Sequence, residues 1–209
     1  MGAKKKEALE QFNRDNILAA AQELFDRNGI GNTTMDDIAS FADYSKSTIY
    51  VYFKSKEDIY NSILEKAVYD LSGNLRRLID GGREFEKVYY LVCDALVSFA
   101  EGYPGYFAGM LSGQRFTNGR KRQNTIDNSM LYEELDEAFT ELINLGIDCN
   151  VLREDVDVKP TVWYLWSSVC GIIQISHRRK DMLAKKLRMT QDEYLRYSFR
   201  TLYESLIRR

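Results

Sequence analysis

The segment Tyr44–Lys56 reads YSKSTIYVYFKSK, and it crowds hydrogen-bonding side chains together in a way that does not suit a core. Lys46, Lys54 and Lys56 carry ammonium donors that suit guanine O6 and N7 or a phosphate oxygen, and serine, threonine and tyrosine hydroxyls can donate to the same groups. The threonine methyl can pack against thymine's methyl group. With one isoleucine, one valine and one phenylalanine, the segment has little to give a core. It is either a surface built to touch something or a polar connector in a helical bundle. Competing chemistry is thin elsewhere. His177 is the single histidine and precedes Arg178, Arg179 and Lys180 near a helix end, where cations favour the dipole. A single histidine leaves little scope for a Cys–His or Ser–His pair and no catalytic constellation is legible, so no catalytic residue is expected, and no cofactor is expected either. Cys93, Cys149 and Cys170 lack metal-ligand spacing and are too scattered for a disulfide framework. They read as small buried apolar residues, with a thiol redox sensor as a minor alternative.

The elements that would position this segment are legible on both sides of it. Between Asn16 and Asn28, Ile17, Ala20, Ala21, Leu24 and Phe25 fall on one face of an amphipathic helix, and Gly29 and Gly31 end it. Thr34-Met-Asp-Asp37 is a cap pattern for a short second helix with Ile38, Phe41 and Ala42 as its buried side. Asp43-Tyr44 breaks the pattern, and Ser45 caps a third helix to about Tyr52. Ser55-Lys-Glu-Asp58 caps a fourth, whose Ile59, Ile63, Leu64, Ala67 and Leu71 keep helical period until Gly81-Gly82. Helix, short turn, helix is the helix-turn-helix arrangement, whose second helix enters the DNA major groove. On a helical wheel Ile49 and Phe53 share the inner side. Lys46, Ser47 and Tyr50 lie opposite or beside it, and Thr48, Val51 and Tyr52 flank. The N-terminus of the fourth helix, with Lys56 in its first turn, makes a phosphate seat.

The rest of the 209 residues is read as helical too. Arg83–Ala100 carries Val88, Leu91, Val92, Ala95, Leu96 and Phe99 on one side, and Gly102-Tyr-Pro-Gly105 interrupts. A short apolar piece then ends at Gly113. Residues 116–128 are polar and basic, their first half read as a loop in which Arg120, Lys121 and Arg122 are solvated. A helix from about Ser129 to Leu145 buries Leu131, Leu135, Ala138, Phe139 and Leu142. Pro160 opens a long helix that is apolar nearly all round until Ile175, as expected of a helix covered from several sides, a second subunit included. Gln191–Ile207, with Leu195, Phe199, Leu202 and Leu206 in line, closes the chain. The expectation is an all-α fold, since no segment alternates strictly and only Pro104 and Pro160 interrupt. The formal net charge of −2 advertises no nucleic-acid partner globally. No apolar run reaches the ~18 residues of a membrane span, and MGAKKKEALEQF lacks the apolar region of a secretory signal. A reduced, cytoplasmic protein is expected.

The run from Asn16 to Ile63 resembles the DNA-binding domain of the tetracycline-repressor (TetR) family of bacterial transcription regulators. The matching residues are ILAAAQELFDRNGI, TTMDDIASFA and STIYVYFKSKEDIY, with Thr48-Ile49-Tyr50-Val51-Tyr52-Phe53-Lys54-Ser55-Lys56 the most telling stretch. The resemblance implies an N-terminal three-helix head (residues 1–57) and a linking helix (about 55–80). A C-terminal helical bundle (58–209) would follow for effector binding and dimerisation. It implies a homodimer reading two half-sites of a palindromic DNA operator, probed through Lys46, Ser47, Thr48, Tyr50 and Tyr52, with Thr34 and Lys56 holding the backbone. Two departures stand out. Asp43 fills the turn position usually held by glycine, with a carboxylate facing the phosphates. Residues 1–66 also contain nine Lys/Arg against eleven Asp/Glu, so few phosphate contacts are expected. Lys4-Lys5-Lys6 is read as a solvated terminus that could add contacts to DNA.

In the family the second domain holds a small effector between its helices, and its last two helices pair with those of the partner. Bundle interiors are where such pockets arise. Tyr103, Phe107, Met110, Phe139, Trp163, Trp166 and Cys170 are the candidates for contact with an aromatic, apolar small molecule, against the alternative that each is core. Trp163 and Trp166, three apart, should share a side, and they could equally be dimer core. The function expected is a ligand-responsive dimeric repressor. The alternative is a helical ligand-binding or protein-interaction module that has lost sequence-specific DNA binding.

Overall fold

A computed structural model describes residues 2–112 and 128–208, with side chains for 4–108, 111 and 133–208. Expectations for Arg120, Lys121, Arg122, Leu131 and the Met110 side chain lie outside the described residues. The elements are α1 (Gly2–Asn28), a 3-10 turn (Ile30–Asn32), α2 (Met35–Phe41), α3 (Lys46–Tyr52), α4 (Lys56–Gly81), α5 (Phe85–Gly102), α6 (Pro104–Ser112), α7 (Asn128–Asp148), α8 (Val158–Arg178), α9 (Lys180–Met182) and α10 (Gln191–Leu206). A single π turn, Leu183–Leu187, follows α9. The fold is all-α. The chain forms two units that divide within α4, between Ala67 and Val68.

In the first unit α1 buries Ile17, Ala20, Ala21, Leu24 and Phe25, the face read from the sequence. The helix starts far earlier than its apolar face does. The residues from Lys4 to Phe12 are exposed, and their helix rests on good helix formers and on i,i+4 pairs such as Lys6 with Glu10 and Gln11 with Asp15. Gly29, at φ 76°, ends it. Thr34 and Asp37 form a capping box on α2: the Thr34 Oγ1 accepts from the Asp37 N–H at 3.1 Å, and the Asp37 carboxylate accepts from the Thr34 N–H at 2.8 Å. The α2 helix buries Ile38 and Ala39. Phe41, read as buried, is exposed, with the Arg27 guanidinium 5.9 Å from its ring centre.

In the second unit α5 lies against α6, α7, α8 and α10, and α8 packs along both α7 and α10. Phe85, Val88, Tyr89, Val92, Cys93, Leu96 and Phe99 form the buried side of α5, whereas Leu91 faces solvent. Burial pushes the Cys93 thiol up to about 12. The Tyr89 hydroxyl donates to the Phe199 carbonyl at 3.0 Å, tying α5 to α10, and its ring meets those of Phe85, Tyr90 and Tyr203. Arg76 on α4 reaches Glu134, Glu137 and Glu141 on α7, its Nη2 lying 3.1 Å from Glu134. The C-terminus is stapled down. Arg153 N–H donates to the Leu206 carbonyl at 3.0 Å and Arg208 N–H to Val151 at 2.9 Å. Gly146 is required by close approach, since a Cβ there would come within 2.9 Å of Leu152 and of Phe85. No helix among the described residues is long and apolar enough to cross a membrane.

Candidate nucleic-acid interface

The turn between α2 and α3 is set by Asp43 in the left-handed region, at φ 58°. Tyr44 N–H donates to the Ala39 carbonyl at 2.9 Å and Asp43 N–H reaches Ser40 at 3.4 Å, the paired bonds of a Schellman ending. Aspartate therefore adopts the geometry glycine would take with less strain. Ser45 then caps α3, accepting from the Thr48 N–H at 3.1 Å. Ile49 and Phe53 are fully buried and pin α3 to the rest of the head, as their spacing predicts. The Arg14 guanidinium closes this core from α1, lying 4.3 Å from the Phe53 ring centre and donating to Ser62 Oγ at 3.1 Å.

The outer face of α3 is narrower than the sequence suggests. Exposed positions are Lys46, Ser47, Tyr50 and Val51, with Lys54 just beyond the helix end. Tyr50 is 47% exposed and Val51 80%. The Lys46 ammonium sits 2.8 Å from Asp36, which raises its pKa. The hydroxyls of Ser47 and Thr48 lie 2.8 and 2.7 Å from the capping Ser45 Oγ, so both are shared with the cap. Thr48 and Tyr52 are half-buried. The Tyr52 hydroxyl accepts from the Asn13 amide nitrogen at 3.0 Å, while Tyr44 donates to the Asn13 amide oxygen at 2.9 Å. One asparagine on α1 thus holds two of the tyrosines.

Lys56 is drawn inward. Its ammonium donates to the carbonyls of Ile30 at 2.6 Å, Gly31 at 3.2 Å and Thr33 at 2.8 Å, which ties the start of α4 to the turn before α2. Thr34 is exposed but spends its hydroxyl on the capping box. The N-terminal turn of α4 is capped near Lys54 and Ser55, where Asp58 accepts from the Lys54 N–H at 2.9 Å and donates its own N–H to Ser55. Val51, placed only on the flank by the wheel, and Lys54, noted only for its charge, were not among the expected contact residues, yet both stand exposed on this side.

The effector candidates separate into groups. Tyr103 and Phe107 cluster with Phe99 and Tyr106, the rings of Phe99 and Tyr103 being 5.4 Å apart and those of Tyr103 and Tyr106 6.1 Å. Phe139 meets Trp166 edge-on at 5.3 Å. Burial raises the Cys170 thiol pKa, and that residue is core. Trp163 does not share a side with Trp166. It is 60% exposed, because α8 turns Trp166 toward α7 and leaves Trp163 on the outer stripe. The Met110 side chain lies outside the described residues.

Comparison with known proteins agrees with this geometry. Residues 17–63 match the family model for bacterial regulatory proteins of the tetR family. The chain is 30% identical over 140 residues to an uncharacterised HTH-type transcriptional regulator of Bacillus subtilis, YfiR, covering 63% of this chain and 64% of that protein. It is 23% identical over 175 residues to IcaR of Staphylococcus epidermidis, a negative transcriptional regulator of the icaADBC biofilm operon, covering 81% and 94%. The fold superposes on SmeT, solved in complex with triclosan, with a TM-score of 0.67 at 17% identity, covering 94% of this chain and 92% of that one. Head, cap positions and helix order all lead to one assignment: residues 17–63 form a domain of the tetR family of bacterial regulatory proteins.

Proposed function

We propose that this regulator is a homodimeric repressor that leaves a palindromic operator when a small molecule binds its bundle. The observation that carries the DNA-binding half is the face of α3 itself. Ile49 and Phe53 anchor the helix, Ser45 and Asp43 fix its entry, and the polar face stands in solvent with Tyr50 at its centre. That is what a recognition helix needs before it meets a groove. Lys46 exchanges Asp36 for a phosphate or a base edge on binding, and Lys54 with the N-terminus of α4 takes a phosphate. Lys56 acts from within, by holding the turn before α2 against α4.

Dimerisation has its own support. Trp163, Tyr164, Ser167, Gly171 and Ile175 form an exposed stripe on α8, and Tyr197, Thr201 and Ser205 lie exposed on the neighbouring α10. A Cβ on Gly171 would meet nothing, so the backbone there is open to close approach by another helix. Pairing this face across a two-fold axis buries Trp163 of each protomer and sets the heads to read successive major grooves, about 34–36 Å apart. An aromatic, apolar effector fits the lining offered by Tyr103, Phe107, Phe139 and Trp166, and SmeT is a relative in fold with a compound of that kind bound. Coupling of 1–3 kcal/mol between the sites lowers operator affinity by roughly 5–150-fold. Action on the chromosome places the protein in the cytoplasm.

The test is selection of bound sequences from random duplex DNA by the purified protein. A palindrome is expected, with affinity that falls as salt rises. No enrichment at low salt would overturn the reading in favour of a helical ligand-binding module that no longer reads DNA.

A further inference from the structure

Resting on that reading of the head, we infer that the operator is recognised through a thymine methyl group packed on Val51 in each half-site. The argument starts from what the exposed face of α3 lacks. Lys46, Ser47, Tyr50, Val51 and Lys54 include no arginine, asparagine, glutamine, aspartate or glutamate. The side chains that pair bidentately with adenine, or accept from cytosine, are therefore absent from it, and lysine is left as its one class of guanine partner. Two of the polar groups are also partly spoken for within the head, Lys46 by Asp36 at 2.8 Å and the Ser47 hydroxyl by Ser45 at 2.8 Å.

Val51 is the anomaly on this face. It is 80% exposed, while Ile49 and Phe53 on either side of it are buried to 1% or less. A β-branched residue is a poorer helix former than the alanine or lysine such a site would otherwise favour, so nothing local rewards it. Its apolar surface gains only when something covers it. In the major groove the apolar group on offer is the C5-methyl of thymine. Tyr50, one position before, brings a hydroxyl to the same edge of the groove and limits which base pair can sit there.

The experiment uses the full-length protein and its selected duplex, resynthesised with deoxyuridine replacing thymine one position at a time. Deoxyuridine keeps every hydrogen-bonding group and deletes only the methyl. At one thymine per half-site the replacement is expected to weaken binding about fourfold, the worth of one buried methyl. Val51→Ala, at a solvent-facing position that leaves the fold intact, should lose that penalty while still binding the duplex. A wild-type protein indifferent to deoxyuridine at every position overturns the inference, as does Val51→Ala retaining the full penalty. In both of those cases the DNA-binding reading survives. Failure to select any sequence instead removes that reading, and this inference with it.

Discussion

Lys56 and Asp43 are the residues where one substitution separates a structural role from an electrostatic one. The Lys56 ammonium meets three carbonyls of the segment before α2, and hydrogen bonds from a charged donor are among the stronger ones. Lys56→Met should cost about 2–3 kcal/mol in urea unfolding. The slope of operator affinity against salt should stay unchanged. A phosphate contact would give the reverse, a normal stability and a slope smaller by roughly one ion. Asp43 holds φ 58°, a region that disfavours residues other than glycine by about 1 kcal/mol. Asp43→Gly relieves that strain but adds freedom to the unfolded chain worth about 0.5–1 kcal/mol. The fold should therefore be stabilised by less than about 1 kcal/mol, and operator binding should tighten because a carboxylate leaves the DNA side. Equal operator affinity for the two proteins at low salt would show that the carboxylate does not face the phosphates.

At the level of elements, the local signals in the sequence were legible and the long-range ones were not. Caps are local: Thr34 with Asp37, Ser45 with Thr48, and Ser55 with Asp58 all form as their spacing requires. Thr190 and Glu193 make a further capping box at α10, and sequence reading, which began that helix by its apolar face alone, passed over it. Periodicity places Ile49 and Phe53 correctly, yet it put Phe41 and Leu91 inside, because an apolar residue at the edge of a stripe carries no mark of which neighbour covers it. The tyrosine hydroxyls were out of reach for a different reason. Asn13 lies 31 residues from Tyr44 and 39 from Tyr52, so no pattern within α3 reveals that Tyr52 is held. The same limit hides Gly146, whose need for glycine comes from Phe85 and Leu152 crowding it. Gly146→Ala should destabilise the second unit by about 1–3 kcal/mol through overpacking, measured by thermal unfolding. The caps also respond to acid. Hydrogen bonds from Thr34 and Thr190 hold the Asp37 and Glu193 carboxyls below their ordinary values. Their contribution is complete above the unfolded carboxylate range near pH 4 and is lost as pH falls through the lower folded values. Thr190→Ala keeps the backbone N–H that lowers Glu193 most, so it should weaken that acid dependence only in part, while loss of the hydroxyl cap lowers stability above pH 6 by about 1 kcal/mol.

For the whole molecule, what matters is how the bundle is completed and how it reaches the head. Arg76 is the cation that α4 offers to three carboxylates on α7, spread over two turns of that helix. The α4 helix carries residues of both units, so in the proposed repressor its seating on α7 is where effector binding would act. The guanidinium is one-third exposed, so its pairing contributes modestly to stability, in keeping with surface ion pairs. Its larger effect should be on coupling. Arg76→Met leaves Glu134, Glu137 and Glu141 to repel one another across an unpaired contact, loosening α4. Effector-induced release should then fall while operator affinity without effector changes less, a difference read by titrating one protein–DNA complex with and without the ligand. The proposed dimerisation would supply the other half of the device. Trp163 adds a large apolar side chain to the exposed stripe of α8, where the described residues leave it 60% exposed. Trp163→Glu should therefore spare the monomer fold and separate the protomers, because a carboxylate buried opposite its symmetry mate has no partner. A monomer keeps one head and hence one half-site, which converts an intramolecular second contact into an independent one and lowers operator affinity by about 100-fold or more. Sedimentation decides it: a Trp163→Glu protein that remains dimeric, with wild-type operator affinity, would assign the α8 stripe to something other than its own partner.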